Sequence, residues 1–192
     1  TACRVTVTAL GCKVSAADAR RIEQQLEACG PALELVPFPQ PAEVYVLLTC
    51  TVTAAADRDT RKLIRRLRRA EPAARIVLSG CMAEASPQQA AGIEGVWRVL
   101  SHHRLQELPA LLSDAQLDAG PAHPLPAPPS AEARRTRPAA PAASAPAPLR
   151  PLVRGLDRPF LKIQDGCNTG CSYCILPRAR GRSRSVALTR VL

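Results

Sequence analysis

The chain has 192 residues, of which 46% are hydrophobic and only 3% are aromatic, and it carries a net charge of +10. This length allows one or two domains, and no apolar run approaches the roughly 20 residues that a membrane-spanning helix needs. Because no secretory signal opens the chain, we expect a cytoplasmic protein that has no membrane partner.

The basic residues are unevenly distributed. Residues 158–192 contain seven basic residues and a single acidic one, Asp165. Such a bias favours binding to polyanions, including nucleic acids. Only three of the 26 basic residues are lysine, and richness in arginine, alanine and proline is also typical of a GC-rich genome. The charge alone is therefore weak evidence for RNA binding.

The first 112 residues alternate between strand and helix patterns. Strands are predicted at 4–10, 33–36, 43–48, 75–79 and 96–100, and helices at 16–28, 54–70, 87–91 and 105–112. Strands that alternate with helices indicate a parallel sheet covered on both faces. We therefore expect a flavodoxin-like α/β domain with the strand order 2-1-3-4-5. Its second helix, 54–70, should turn Leu63, Ile64 and Leu67 inward.

A proline- and alanine-rich segment follows this domain. Of the 31 residues at 121–151, 20 are Pro or Ala, which predicts an extended or disordered linker over 113–157. After it, Pro159–Gln164 is a predicted strand and Asp165–Pro177 a loop. Too little chain then remains to bury a second core, so we interpret 158–192 as the incomplete start of another domain, a truncated β/α barrel.

Eight cysteines without a secretory signal indicate metal binding or catalysis rather than disulfides. Cys12, Cys50 and Cys81 follow the first, third and fourth predicted strands. Ligands bind at the carboxyl edge of such sheets, so these three thiols should converge there. The alternative is that all three are small buried hydrophobic residues. Gly11 and Gly80 precede two of them and would allow close approach of a bulky cluster.

The remaining cysteines divide into two groups. Cys3 and Cys29 fall at the opposite edge of the predicted sheet and are interpreted as bystanders. The other three form a CxxxCxxC loop, Cys167, Cys171 and Cys174. Iron–sulfur clusters usually take four cysteines, so three would leave one iron open to another ligand. Zinc is the alternative metal, but the histidines are remote and are interpreted as surface or loop residues: His102, His103 and His123.

A CxxxCxxC loop directly after a strand resembles that of radical S-adenosylmethionine (SAM) enzymes. The longer string GCNTGCSYCILPRARG at 166–181 resembles the methylthiotransferase family in particular. LGCKV at 10–14, LTCTVT at 48–53 and SGCMAEASP at 79–87 resemble the three cysteine motifs of that family's N-terminal domain. The resemblance implies that Cys167, Cys171 and Cys174 bind a SAM-cleaving [4Fe-4S] cluster, and that Cys12, Cys50 and Cys81 bind an auxiliary one.

The family inserts sulfur and transfers a methyl group, either to tRNA beside the anticodon or to a ribosomal-protein aspartate. The motifs here are most similar to the branch that acts on threonylcarbamoyladenosine rather than on isopentenyladenosine, although Ser15, Ala16, Thr49 and the pair Ser101-His102 replace its usual residues. The implied partners are tRNA and a reductant such as flavodoxin or ferredoxin. We expect no turnover by this chain alone. A non-enzymatic cluster carrier and a zinc-binding RNA module remain alternatives.

Two basic segments are candidates for RNA contact. The predicted helix at 54–70 carries seven basic residues, which suit an RNA-facing surface and a solvated helix face equally well: Arg58, Arg61, Lys62, Arg65, Arg66, Arg68 and Arg69. Four arginines beside the cysteine loop are predicted phosphate contacts, with simple solubility as the alternative: Arg178, Arg180, Arg182 and Arg184. Tyr173 can stack on a base or serve a core or cluster-shielding role.

Overall fold

The computed structural model of the protein describes residues 2–113 and 161–191. The chain divides into two compact units, Thr1–Pro128 and Pro129–Leu192. The predicted linker, 113–157, lies almost entirely outside the described residues, and the predicted boundaries at 112 and 158 stay predictions. No helix in the two described ranges is long and apolar enough to cross a membrane.

The first unit contains a parallel five-stranded sheet in the order β2-β1-β3-β4-β5. Its strands are β1 (Cys3–Ala9), β2 (Leu33–Leu35), β3 (Val44–Thr49), β4 (Arg75–Gly80) and β5 (Arg98–Val99). Backbone hydrogen bonds flank the short β5 on both sides, from the Trp97 amide to Ile76 and from the Leu100 amide to Leu78, both 2.8 Å. The predicted flavodoxin-like sheet and its strand order are confirmed.

The helices of this unit are α1 (Lys13–Glu27), α2 (Ala54–Ala70), α3 (Cys81–Ala85), α4 (Pro87–Ala91) and α5 (Leu108–Ser113), with a 3-10 turn at His102–Glu107 before α5. Helix α1 begins at Lys13, earlier than the predicted start at residue 16. Its N-cap residue, Cys12, makes no side-chain capping bond, so no capping residue marks this start in the sequence. Helix α3 was not predicted, since five residues are too few for a periodic pattern.

Strand β3 contributes to two hydrophobic cores, and all six of its residues are buried. Alternate residues of a strand point to opposite faces, so Val44, Val46 and Leu48 pack with α1 and α5, while Tyr45 and Leu47 pack with α2, α3 and α4. This confirms a strand buried on both faces, although it spans 44–49 rather than the predicted 43–48, since Glu43 is exposed. On α2 the buried residues are Thr60, Ile64 and Leu67, whereas Leu63, which was predicted inward, is only half-buried.

The second unit has little regular structure in its described residues. Strand β6 (Gln164–Asp165) pairs antiparallel with β7 (Arg184–Ser185), and two short helices, α6 (Leu176–Arg180) and α7 (Leu188–Val191), follow the cysteine loop. The predicted strand at 159–164 is wrong over 161–163, and 159–160 lie outside the described residues. Because β7 has only two residues, the ladder it forms with β6 is equally short.

Candidate metal centres

The carboxyl ends of β1, β3 and β4 lie side by side because β3 pairs with both neighbours. Ala9 is in register with Leu48, and Thr49 is in register with Gly80. Neighbouring strands in a sheet are about 4.8 Å apart. The three candidate ligands, Cys12, Cys50 and Cys81, come after these three strand ends and therefore share one edge of the sheet.

The two cysteines interpreted as bystanders lie elsewhere. Cys3 is the first residue of β1, at the amino edge of the sheet, and Cys29 follows α1. Burial raises the pKa of the Cys3 thiol, and the nearby Glu43 carboxylate adds to this effect. Both influences disfavour the thiolate form in which cysteine binds metals. Cys3 is therefore poorly suited to be a ligand.

A glycine brings the backbone beside Cys12 against Cys50. Gly11 has a φ of +137°, and a Cβ at this position would overlap the Cβ of Cys50 and lie 3.2 Å from its Sγ. Only glycine fits such a contact without displacing the cysteine. The first two candidate ligands are thus held in adjacent, closely packed segments.

A second glycine, Gly80, joins the segments of Cys50 and Cys81. Its φ is +90°, and a Cβ there would overlap the carbonyl oxygen of Thr49 and lie 2.8 Å from the Thr49 nitrogen. The buried Thr49 hydroxyl donates a hydrogen bond of 2.7 Å to the Ser79 carbonyl. Thr49, one of the departures from the usual family residues, therefore links β3 to β4 immediately before the cysteines.

The three thiols differ in exposure. Cys50 and Cys81 are buried, with 5% and 2% of their surface accessible, whereas Cys12 is exposed. The Cys12 sulfur lies 3.6 Å from the hydroxyl of the buried Ser15, within hydrogen-bond distance for sulfur. Soft thiolate donors select iron–sulfur clusters, zinc or Cu(I). The close contacts at Gly11 and Gly80 are made with protein atoms of Cys50 and Thr49, so these glycines bring the cysteine segments together. The donor set itself fits a cluster.

A buried carboxylate behind Cys81 was missed by the sequence analysis. Glu84, in α3, is 2% exposed. It accepts hydrogen bonds from the Ser101 hydroxyl and, at 3.0 Å, from the His102 amide. Its Oε1 also lies 3.3 Å from the His102 Nδ1. The only sequence signal was one acidic residue within the otherwise apolar string CMAEA.

The interpretation of His102 as a surface residue is wrong, because its side chain is 4% exposed and lies against Glu84. The side chain of His103 and the whole of His123 lie outside the described residues. Ser101-His102, which replaces the pair usual in the family branch, thus contributes to a buried polar cluster that connects α3 to the end of β5. A carboxylate buried in this way is stable only with such partners.

The CxxxCxxC loop of the second unit is closed by residues that follow it. The Cys167 amide donates to the Gly181 carbonyl at 3.0 Å, and the Ser183 amide donates to the Asn168 Oδ1 at 2.9 Å. Gly166 has a φ of +79°, and a Cβ there would overlap the Arg182 carbonyl oxygen. The start of the loop is therefore shaped by a segment that lies beyond its last cysteine.

The three thiols of this loop are half-buried. A turn brings the Cys174 amide to 3.1 Å from the Cys171 carbonyl. The Thr169 amide donates to the Cys167 sulfur at 3.4 Å, and this hydrogen bond lowers the pKa of the Cys167 thiol. Because the thiolate is the form that binds metals, the loop backbone favours the ligand form of Cys167.

Arg180 does not have the predicted role of a phosphate contact. It is 2% exposed, and its Nη1 lies 3.7 Å from the Asp165 Oδ1. Asp165 also pairs with Lys162 at 2.8 Å and lies 4.0 Å from Arg184. The phosphate-contact prediction for Arg180 is therefore wrong, since its charge is buried against a carboxylate.

The other residues near the loop keep a surface position. Arg178 and Arg182 are exposed, and the Arg184 side chain is 44% exposed. Tyr173 is 90% exposed, which rules out a core role within the described residues. Stacking of Tyr173 on a base and phosphate contacts from these three arginines stay predictions.

Within residues 2–113 and 161–191, no group of three or more His, Cys, Asp or Glu side chains is arranged to hold a single metal ion. One ion bound by three thiolates at about 2.3 Å would require the sulfurs to be within roughly 4 Å of one another. In a cubane cluster each thiolate binds a different iron, so the cysteine sulfurs lie farther apart than around a single ion. The assignment of both cysteine sets to clusters stays a prediction.

Residues 4–100 match a family described as "Uncharacterized protein family UPF0004". This match covers about half of the chain and includes the parallel sheet apart from Cys3, the first residue of β1. The chain belongs to the UPF0004 family. The matched range contains Cys12, Cys50 and Cys81, and the CxxxCxxC loop lies beyond it.

Curated relatives extend the similarity into the second unit. The threonylcarbamoyladenosine tRNA methylthiotransferase MtaB of Aquifex aeolicus is 31% identical over 203 residues and matches 98% of this chain. MtaB of Bacillus subtilis is 32% identical over 92% of the chain, and the ribosomal protein uS12 methylthiotransferase RimO of Chloroflexus aurantiacus is 29% identical over 97%. The chain spans 43%, 36% and 41% of these three relatives. The resemblance to the N-terminal part of a methylthiotransferase is confirmed.

Proposed function

We propose that the chain carries the two cluster sites of a radical SAM methylthiotransferase. This enzyme would convert N6-threonylcarbamoyladenosine beside the anticodon of tRNA to its 2-methylthio derivative. One observation carries the proposal: two separate cysteine sets, at a sheet edge and in a closed loop, occur in a chain similar to methylthiotransferases over 98% of its length.

Each cysteine set has a separate task in this proposal. Cys167, Cys171 and Cys174 would hold a [4Fe-4S] cluster that leaves one iron open for SAM, and the other three cysteines would hold an auxiliary cluster. The bound clusters and SAM would supply the radical, the sulfur and the methyl group. The chain itself would position the thiolates. At the sheet edge, the close contacts at Gly11 and Gly80 would hold the thiolates in place. In the loop, the hydrogen bonds accepted by Gly181 and Asn168 would hold them.

The choice of substrate rests on the names of the relatives. MtaB proteins of Aquifex aeolicus and Bacillus subtilis are named for threonylcarbamoyladenosine in tRNA, and the motifs of this chain are most similar to that branch. The alternatives are isopentenyladenosine in tRNA and an aspartate of a ribosomal protein. A reductant such as flavodoxin or ferredoxin would deliver electrons, in the cytoplasm.

Nucleoside analysis tests this function. Deletion of the gene is expected to abolish the 2-methylthio derivative of threonylcarbamoyladenosine in tRNA digested for mass spectrometry, with accumulation of the unmodified precursor. The wild-type gene and the control variant Cys3→Ala should restore the product, whereas Cys50→Ala and Cys171→Ala should not. A full level of this product in the deletion strain would contradict the proposal. Loss of the methylthio group from isopentenyladenosine or from the ribosomal protein, with the threonylcarbamoyladenosine product retained, would identify the other branch.

A further inference from the structure

Helix α2 carries a continuous row of basic side chains opposite the core. We call this row the α2 ridge: Arg58, Lys62, Arg65 and Arg69. These residues are separated by four, three and four positions, which keeps them on one face of a helix with 3.6 residues per turn. All four are exposed. The buried residues Thr60, Ile64 and Leu67 occupy the opposite face. Exposed Arg61 and Arg66 flank the ridge on either side.

The ridge is not explained by contacts within the described part of the chain, where none of these six basic side chains forms an ion pair or hydrogen bond. Arg68 of the same helix differs. It donates to the Pro72 carbonyl at 2.6 Å and to the Ala74 carbonyl at 3.2 Å, and its side chain packs against Gly95. Arg68 therefore supports the end of α2, whereas the six other cations face outward.

The ridge also has an electrostatic cost for the helix. Like charges spaced four residues apart on a helix destabilise it by about 0.2–0.5 kcal/mol per pair. Arg58 with Lys62 and Arg65 with Arg69 are two such pairs on the ridge itself. Arg69 lies in the last turn, where a cation interacts favourably with the helix dipole, so the cost falls mainly on Arg58 with Lys62. This placement of like charges is better explained by an anionic ligand than by helix stability.

The direction of α2 connects the ridge to the cysteine edge. The helix starts at Ala54, four residues after Cys50, and runs back towards the amino edge of the sheet, where β4 begins. Its 17 residues give a length of about 25 Å. Arg58 lies in the second turn, so the ridge begins near the candidate cluster site and extends away from it. A polyanion bound along the ridge would have one end at that site.

We propose that the α2 ridge binds the sugar–phosphate backbone of the RNA substrate; this rests on the proposed function. Arginine presents a planar set of donors that matches phosphate oxygens in pairs, and three of the four ridge residues are arginine. An interface with an acidic protein typically needs a buried aromatic or aliphatic anchor. The exposed face of α2 offers none, since the exposed apolar residues of this helix are Ala54, Ala55 and Ala70.

A salt titration with charge-matched variants tests the ridge. The full chain is mixed with a fluorescein-labelled RNA stem–loop, and anisotropy is measured over a series of salt concentrations. The double variant Arg65→Gln/Arg69→Gln is expected to weaken binding about tenfold at fixed salt and to reduce the slope of log K against log salt by about 2, one for each lost phosphate contact. Circular dichroism confirms that the variant is folded.

The control removes the same charge elsewhere in the first unit. Arg4→Gln/Arg21→Gln changes two exposed residues, at the start of β1 and on α1, and should lower the slope by less than about 1. Equal effects of the two double variants, or wild-type binding of an acidic flavodoxin but not of RNA, would overturn the ridge proposal.

The nucleoside analysis is independent of this RNA-binding titration. If the deletion strain loses its product while the ridge variant binds RNA normally, only the ridge is wrong. If the product persists while binding follows the ridge, only the function is wrong.

Discussion

Replacing Asp165 with asparagine is expected to loosen the cysteine loop of the second unit and leave the first unit unchanged. The variant removes the carboxylate that Arg180 faces, and Arg180 is 2% exposed. Breaking a buried ion pair by removing one partner costs up to about 3 kcal/mol, so hydrogen-exchange protection should fall by up to roughly a hundredfold. Exchange measured by mass spectrometry should accelerate at the amides that close the loop, those of Cys167 and Ser183.

Two controls separate the ion pair from a general loss of charge. Asp59→Asn changes an exposed position of α2. It should alter the opening free energy measured by hydrogen exchange by no more than about 0.5 kcal/mol. Adding Arg180→Met to Asp165→Asn removes the buried cation, so part of the protection should return. If Asp165→Asn and Asp59→Asn had the same small effect, the buried pair would not support the loop.

Replacing Gly80 with alanine is expected to destabilise the first unit by at least about 3 kcal/mol. Part of this loss, about 1–3 kcal/mol, comes from placing a side chain at φ +90° and ψ −159°, a backbone conformation essentially restricted to glycine. The rest comes from the overlap between the new Cβ and the Thr49 carbonyl, which forces β3 and β4 apart before Cys50 and Cys81. The measurement is the urea midpoint of the full chain by circular dichroism.

Gly30→Ala is the matched control for this substitution. Gly30 has a φ of +81°, close to that of Gly80, but no atom lies within 4 Å of a Cβ at this position. Its substitution should therefore cost only the backbone term of about 1–2 kcal/mol. Equal urea midpoints for the two variants would show that the close approach at Gly80 is not needed at the sheet edge.

The parallel sheet could be predicted from sequence because its signals are local. The continuous apolar run of β3 indicates a strand buried on both faces, and the alternation with helices fixes the class of sheet. The same topology places Cys12, Cys50 and Cys81 at one edge. Helix bounds were less accurate. Helix α1 begins at Lys13 rather than at residue 16 because Cys12 caps it without a recognisable side-chain signal.

The roles of His102 and Arg180 could not be predicted because each depends on a partner distant in sequence. The side chain of His102 is buried against Glu84, which lies 18 residues earlier and also accepts the His102 amide. Arg180 lies 15 residues after Asp165, and β6 and α6 bring the two side chains together. The local sequence around each of these two residues is typical of a surface loop. The predicted strand failed over 161–163 for a related reason, since a strand requires a partner and β7 provides only two residues.

The most direct test of the two-cluster account is the iron content of cysteine variants after anaerobic reconstitution with iron and sulfide. The wild-type chain should bind about eight irons, four per cubane cluster. A triple alanine variant of Cys12, Cys50 and Cys81 should retain about four, and so should the triple variant of Cys167, Cys171 and Cys174. The double variant Cys3→Ala/Cys29→Ala should retain all eight. Stoichiometric zinc without iron, or an iron content that does not follow the two cysteine sets, would contradict the account.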